Sequence, residues 1–270
     1  MPLGVYLKGD TAKIVNPYEE TDAFIPEIKV MHEFYEKGFV PKDAATSDQG
    51  YPLDADTWFM RRETVGPRDY GNYLLRAVSG KDLEIVPHGD SIIKTNAQAR
   101  MSNFVVAQNS DHVEESVKLL NYINSKPEIM NTLVYGLEGE NWEKVGEDKI
   151  KLLPKYNEGA THMSAWNTGN AALLYKDERV TPEQLAASEK GLKEATDSPL
   201  LGFNFNQEPV ADEIANVNNV VNEYVAGLHT GTVDPEKVLP EFNKALKDAG
   251  IDKIKEEMQR QYDEFLKNKN

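Results

Sequence analysis

The chain has no cysteine, which removes disulfides, thiolate nucleophiles, zinc–thiolate sites and iron–sulfur clusters from consideration. Compartment stays open on that count, because exported bacterial proteins also dispense with cysteine. Positive charge is scarce: 30 Lys and Arg against 45 Asp and Glu give a net charge of −15. Phosphate backbones and acidic lipid surfaces call for the opposite balance, so neither nucleic acid nor a membrane surface is an expected partner. Long apolar runs are missing as well. None approaches the roughly 20 residues of a membrane helix, and the start MPLGVYLKGD has neither the basic nor the apolar part of an export signal. The expectation is a chain that cannot export or anchor itself as it stands.

Catalytic signatures are equally thin. No H-E-x-x-H, EF-hand loop, Walker A, G-x-G-x-x-G or G-x-S-x-G pattern occurs, so zinc proteolysis, calcium sensing, nucleotide hydrolysis, dinucleotide binding and the serine elbow lose their usual support. A Ser-His-Asp triad would need His32, His88, His112, His162 or His229 beside an exposed serine. Glycoside hydrolysis needs two facing carboxylates, and 45 acidic residues always permit some pair, so the pattern has no force. Asp54 and Asp56 read as a solvated turn. No enzyme activity, cofactor or metal is expected.

What the chain does have is hydrophobic periodicity punctuated by glycine. Its 270 residues, 40% hydrophobic, suffice for one large core or two smaller ones. Val5 to Lys8 and Ala12 to Val15 predict two strands around Gly9-Asp10. Phe24, Ile28, Met31 and Tyr35 predict a helix that Gly38 ends. Further strands are predicted at Trp58 to Met60, Leu83 to Val86 and Phe104 to Ala107, with a polar connector over Asn96 to Arg100. Asp111 with Glu114, and Ser125 with Glu128, predict two helix starts; Val113, Val117, Leu120 and Ile123 form the first helix's apolar face, and Gly136 closes the second. Loops are expected from Gly146 to Asp177. Helices follow: Val210 through Leu228 keeps helical spacing, Leu239, Phe242 and Leu246 repeat it up to Gly250, and Ile251, Ile254, Met258 and Phe265 mark a last stripe.

The order strand, helix, Ser-x-Pro-Glu, helix, Tyr-Gly-x-Glu-Gly within Met101 to Val145 resembles the crossover segment of extracellular solute-binding proteins, family 1, that serve sugar-importing ABC transporters. Ser198-Pro-Leu-Leu-Gly-Phe-Asn-Phe205, Leu246-Lys-Asp-Ala-Gly-Ile251 and Glu257 to Gln261 are similar to an uncharacterised C-terminal domain of its lipoprotein-type members. The resemblance implies an α/β, helix-rich, partial type II periplasmic-binding-protein-like fold. On it, residues 1–95 are part of a second α/β lobe, 96–145 are a crossover strand and helices belonging to the first lobe, and 146–270 form a loop-rich and then helical C-terminal domain. The family's export signal, anchor cysteine and long first lobe do not precede Met1, so a truncated chain owning part of a cleft is expected. The resemblance further implies an extracellular, lipid-anchored setting, a monomer, a mono- or oligosaccharide as solute, and an ABC permease as membrane partner.

A saccharide site needs flat apolar faces for the ring's C–H surfaces and planar polar groups for its hydroxyls. Three stretches offer both. Trp58, Arg61, Glu63 and Tyr70 surround a strand end, where Arg61 and Glu63 alternate to one face; a structural ion pair is the competing explanation. Trp166 and Asn167 lie among amides and glycine, and could stack on sugar or plug an interface. Asn204, between Phe203 and Phe205, is explained equally by helix initiation. Trp142 reads as core. Two further functions stay open beside solute capture: a helical protein-interaction module without a ligand, and a glycoside-hydrolase-like enzyme.

Overall fold

The computed structural model describes residues 1–7, 9–48, 50, 52–61, 79–84, 86, 92–158 and 162–269. The architecture is mixed α/β and rich in helix, as the sequence predicts. The chain forms two compact units, one from Met1–Tyr51 with Asp197–Asn270, the other from Pro52–Thr196. These contact boundaries differ from the three segments read from the sequence, because the first unit joins both ends of the chain.

The first unit begins with strands β1 (Gly4–Val5) and β2 (Ile14–Val15), paired antiparallel with Gly4 opposite Val15. They are shorter than predicted but turn where expected, with Gly9 at φ 93°. Helix α1 (Ile25–Glu36) starts on Pro26, whose missing N–H costs nothing in a first turn, and stops before Gly38 at φ 74°.

In the second unit several predicted strands are not there. Trp58, Phe59 and Met60 are irregular, and Phe59 is fully exposed. Leu83, Glu84 and Val86 are irregular too. So are residues 104–107, where Val105 is 87% exposed instead of buried. The physical reason is shared: an apolar run becomes a strand only when a neighbour satisfies its backbone ladder, and these residues have no strand partner among the described residues.

Strand β3 (Ile93–Lys94), which the sequence does not predict, lies next to Ile92, whose carbonyl accepts from the Thr196 N–H at 2.9 Å. The predicted connector after it is helix α2 (Asn96–Ala99), started by a capping box in which the Thr95 hydroxyl and Gln98 amide bond each other's backbone. Helix α3 (Val113–Ser125) has His112 at its N-cap without a side-chain bond, so Asp111 does not cap it. Helix α4 (Pro127–Tyr135) starts at Lys126 rather than Ser125, whose hydroxyl donates back to the Asn121 carbonyl at 2.7 Å. Gly136 closes α4 at φ 85° as predicted.

Strand β4 (Trp142–Lys144) follows, and in the stretch from Gly146 to Asp177, where the sequence predicts loops, β5 (Lys149–Leu152) pairs antiparallel to it and β6 (Lys176–Asp177) adds parallel to β5. These strands are short and mostly polar outside Trp142 and Ile150, so their sequence carries almost no alternating apolar signal. Between them lies helix α5 (Ala165–Thr168), and after them α6 (Pro182–Lys193), capped by Thr181 and Gln184. Strand β7 (Thr196–Asp197) ends the excursion.

Three helices complete the first unit: α7 (Ala211–Thr230), α8 (Pro235–Asp248) and α9 (Ile251–Asn268). Their predicted stripes are the core. Val217, Leu228, Phe242, Leu246, Ile251 and Ile254 are buried together with Ile28 and Tyr18. A second cluster joins Ile14 to Phe203, Met258 and Tyr262. The other unit has its own cluster of Ile123, Met130, Val134 and Leu174. Trp142 is buried, as read from the sequence, with its indole N–H donating to the Gly136 carbonyl at 2.9 Å.

Candidate functional site

The second unit carries a recess of about 220 Å³ built around Trp166. A one-turn helix presents this indole: Thr168 is buried and its hydroxyl bonds the Ser164 carbonyl at 2.7 Å, which fixes α5, while Trp166 stays 62% exposed. Gly169 lies at the recess floor. Its backbone is extended, and a Cβ there would come within 2.6 Å of Ile123 Cγ2 and 3.2 Å of Met130 Sδ, so only glycine lets the loop press this closely on the core.

The opposite wall comes from α2 and the irregular segment after it: Gln98, Met101, Ser102 and Phe104. Ser102 ties the walls together, its hydroxyl donating to the Asn167 carbonyl at 2.9 Å. Asn124 at the end of α3 completes the lining, its carbonyl accepting from Asn170 Nδ2 at 3.4 Å. The recess thus combines an indole, a phenyl ring and a thioether with three side-chain amides and a hydroxyl. Among the described residues that line it, none is charged. Such a surface can stack an apolar ring face and exchange hydrogen bonds with neutral groups.

The residues singled out from the sequence are divided. Trp166 and Asn167 stand together in this recess. Trp58 is half-buried, its indole N–H donating to the Leu53 carbonyl at 3.1 Å, and Arg61 is exposed; neither lines the recess. Glu63 and Tyr70 lie outside the described residues. Asp56 pairs with Lys81 in the solvated setting expected of it.

Asn204 belongs to the first unit, on the rim of an open recess of about 490 Å³ with Phe203, Asn206, Glu257, Arg260 and Gln261 among its neighbours. That recess is filled by mutual bonding. Arg260 holds Glu257 through two bonds, 2.6 and 2.8 Å, and Glu264 through a third at 2.7 Å. The guanidinium beside it, with Gln261 second, pulls the Glu257 carboxyl down to about 2. Gln261 accepts from the Asn206 N–H at 2.8 Å and donates to the Asn206 carbonyl at 2.9 Å, gripping one residue as a neighbouring strand would.

Sequence reasoning missed Gln98, Met101, Ser102, Phe104 and Asn124 as recess residues. Phe104 reads as part of a buried strand and Gln98 as part of a connector, so only the capping-box spacing from Thr95 to Gln98 hints at the wall they form.

Comparison with known proteins places this geometry. Residues 199–267 match the model of a family described as Domain of unknown function (DUF3502). Over 272 aligned residues the chain is 48% identical to a "Carbohydrate ABC transporter substrate-binding protein" of Streptococcus pneumoniae serotype 4 (strain ATCC BAA-334 / TIGR4), with 100% of this chain and 55% of that protein covered. It superposes on the crystal structure of the N-glycan transport solute binding protein (NgtS) from Streptococcus pneumoniae with a TM-score of 0.91 at 48% identity, over 100% of this chain and 60% of the other. The same protein in complex with Man5GlcNAc gives 0.87, with the same coverage. The chain therefore spans a little over half the length of these relatives. The resemblance read from the sequence is borne out, and the partial solute-binding-protein fold it implied is the one observed.

Proposed function

From this kinship, we propose that the chain is part of the solute-binding component of an ABC importer and captures an oligosaccharide without altering its bonds. The similarity carries the reading: 48% identity extends over the whole chain to a solute-binding protein whose structures include glycan complexes. The Trp166 recess supports it with the indole, amide and hydroxyl groups that a sugar ring uses. Trp166 and Asn167 are the residues assigned to the solute, with Trp58, Arg61, Glu63, Tyr70 and Asn204 as further candidates. A membrane permease receives the loaded protein, which acts as a monomer outside the cell, lipid-anchored in its full form.

Residues 1–95, in this reading, belong to the second lobe, 96–145 run through the first, and 146–270 form the C-terminal domain. The bare apolar groups of the middle segment support that division: Phe104, Val105, Val113 and Val117 are between 47% and 87% exposed. Such a strip suits a covering by the part of the relatives' length that this chain does not span. Titration calorimetry and saturation-transfer NMR with a panel of mannosyl and N-acetylglucosaminyl oligosaccharides test the function. Binding that Trp166→Ala weakens is expected; silence across the panel would count against solute capture.

A further inference from the structure

The one-turn helix that presents Trp166 is too short to hold its own direction. Helix α5 has four residues, and the last four carbonyls of any helix lack a partner within it, so bonds from outside decide how so short an element lies. One such bond comes from 65 residues earlier in the chain: the Ser102 hydroxyl donates to the Asn167 carbonyl at 2.9 Å. We propose that Ser102 is a positioning residue for the solute. It acts through the Asn167 peptide, fixing the angle at which the Trp166 indole and the Asn167 amide face the recess. The proposal rests on the saccharide reading above and adds to it the residue that sets the geometry of the site.

The buried side of α5 has its own fastenings. Met163, just ahead of it, donates its N–H to the Leu133 carbonyl at 2.7 Å, Thr168 is buried within it, and Gly169 presses on Ile123 and Met130 after it. Ser102 holds the other side, where its bond to Asn167 is exposed and Trp166 stands 62% exposed. Bonds near Ser102 on its own segment are local, such as Arg100 N–H to the Ala97 carbonyl at 3.2 Å and Asn103 Nδ2 to the Arg100 carbonyl at 2.9 Å. The Ser102 hydroxyl turns that local wall into a cross-tie to the indole's helix.

An exposed neutral bond adds little to stability, because water takes its place when it is lost. Water does not replace its direction. An indole that samples several orientations binds with an affinity lowered by the fraction of time spent in the receptive one, so the tie acts on binding more than on folding.

The test compares Ser102→Ala and Ser102→Thr with the unaltered 270-residue chain. The first readout needs no ligand: NMR of the indole N–H groups, with Trp166→Phe identifying the Trp166 signal. The Trp58 and Trp142 indoles, bonded to the Leu53 and Gly136 carbonyls, serve as references. Ser102→Ala should shift the Trp166 signal and lower its heteronuclear NOE while the other two stay in place, and Ser102→Thr, which keeps the hydroxyl, should restore both. The second readout is titration with the same mannosyl and N-acetylglucosaminyl oligosaccharides. Ser102→Ala should weaken binding by roughly two- to tenfold, the worth of one neutral hydrogen bond, and Ser102→Thr should not. A Trp166 signal that Ser102→Ala leaves unmoved overturns the proposal, as does an affinity unchanged in Ser102→Ala or lowered equally in both variants. Silence of the unaltered chain toward every sugar overturns the saccharide reading instead, and the hold of Ser102 on the indole then stands or falls on the first readout.

Discussion

At the scale of single residues, the glycines divide into those that bend the chain and those that let two surfaces meet. Gly231 does both. It ends α7 at φ 75°, and a Cβ there would sit 2.2 Å from the Met31 carbonyl oxygen of α1. His32 Nδ1 lies 2.8 Å from the Gly231 carbonyl and pins the same junction. Gly231→Ala should cost about 2 kcal/mol or more, combining left-handed strain with a backbone clash; urea unfolding followed by circular dichroism measures it. The sequence revealed the helix stop but not the close approach, because the Met31 partner lies 200 residues away in the chain. Trp166 offers the opposite case. Its indole is 62% exposed, so Trp166→Ala should leave stability within about 0.5 kcal/mol while weakening the proposed sugar binding. The tryptophan and asparagine at this site were legible as residue types in a loop. Their neighbour Phe104 was not, since local pattern alone assigns it to a strand.

Among the elements, α9 shows how helices in this chain substitute for missing sheet. Gln259 accepts from the Ile14 N–H at 2.7 Å and donates to the Ala12 carbonyl at 2.8 Å, while Gln261, two residues on, grips Asn206. Asn131 repeats the device in the other unit, donating to the Leu173 carbonyl at 3.0 Å and accepting from the Tyr175 N–H at 2.8 Å. Helical periodicity made α1, α7, α8 and α9 readable because it is local. Amide grips are invisible to periodicity, as a glutamine on a polar face looks the same whether it meets water or a distant backbone. Gln259→Glu removes one donor and sets a carboxylate against the Ala12 carbonyl, so a loss of about 1–3 kcal/mol is expected in denaturant melts.

The acid response of α9 has a defined direction. Arg260 and Gln261 hold the Glu257 carboxyl at about 2, below the ordinary value of 4.5. A carboxylate with a lowered folded-state pKa stabilises fully above its unfolded pKa, and that contribution fades as pH falls from about 4.5 through about 2. Thermal melts between pH 5 and roughly 2 should therefore show a smaller acid-induced drop in Glu257→Gln than in the unaltered chain.

For the whole molecule, the three tryptophans supply a natural division of signals. Trp58, Trp142 and Trp166 all lie in the Pro52–Thr196 unit, while the three long terminal helices lie in the other. Indole fluorescence thus reports one core and helical circular dichroism chiefly the other. Gly231→Ala should shift the dichroism midpoint and leave the fluorescence midpoint nearly in place. Coincident shifts would mean that the two cores melt as one cooperative body.

That closed loop of the first unit, with Met1–Tyr51 and Asp197–Asn270 in one core, also dictates when it can form on the ribosome. The hairpin leaves the exit tunnel well ahead of its backbone partner Gln259, which follows 245 residues behind Ile14. At about 5–20 residues per second, the hairpin waits more than ten seconds for that partner, while the interior unit emerges and is free to settle first. Translation speed and chaperone supply should consequently govern the yield of the helical unit far more than that of the tryptophan-bearing one.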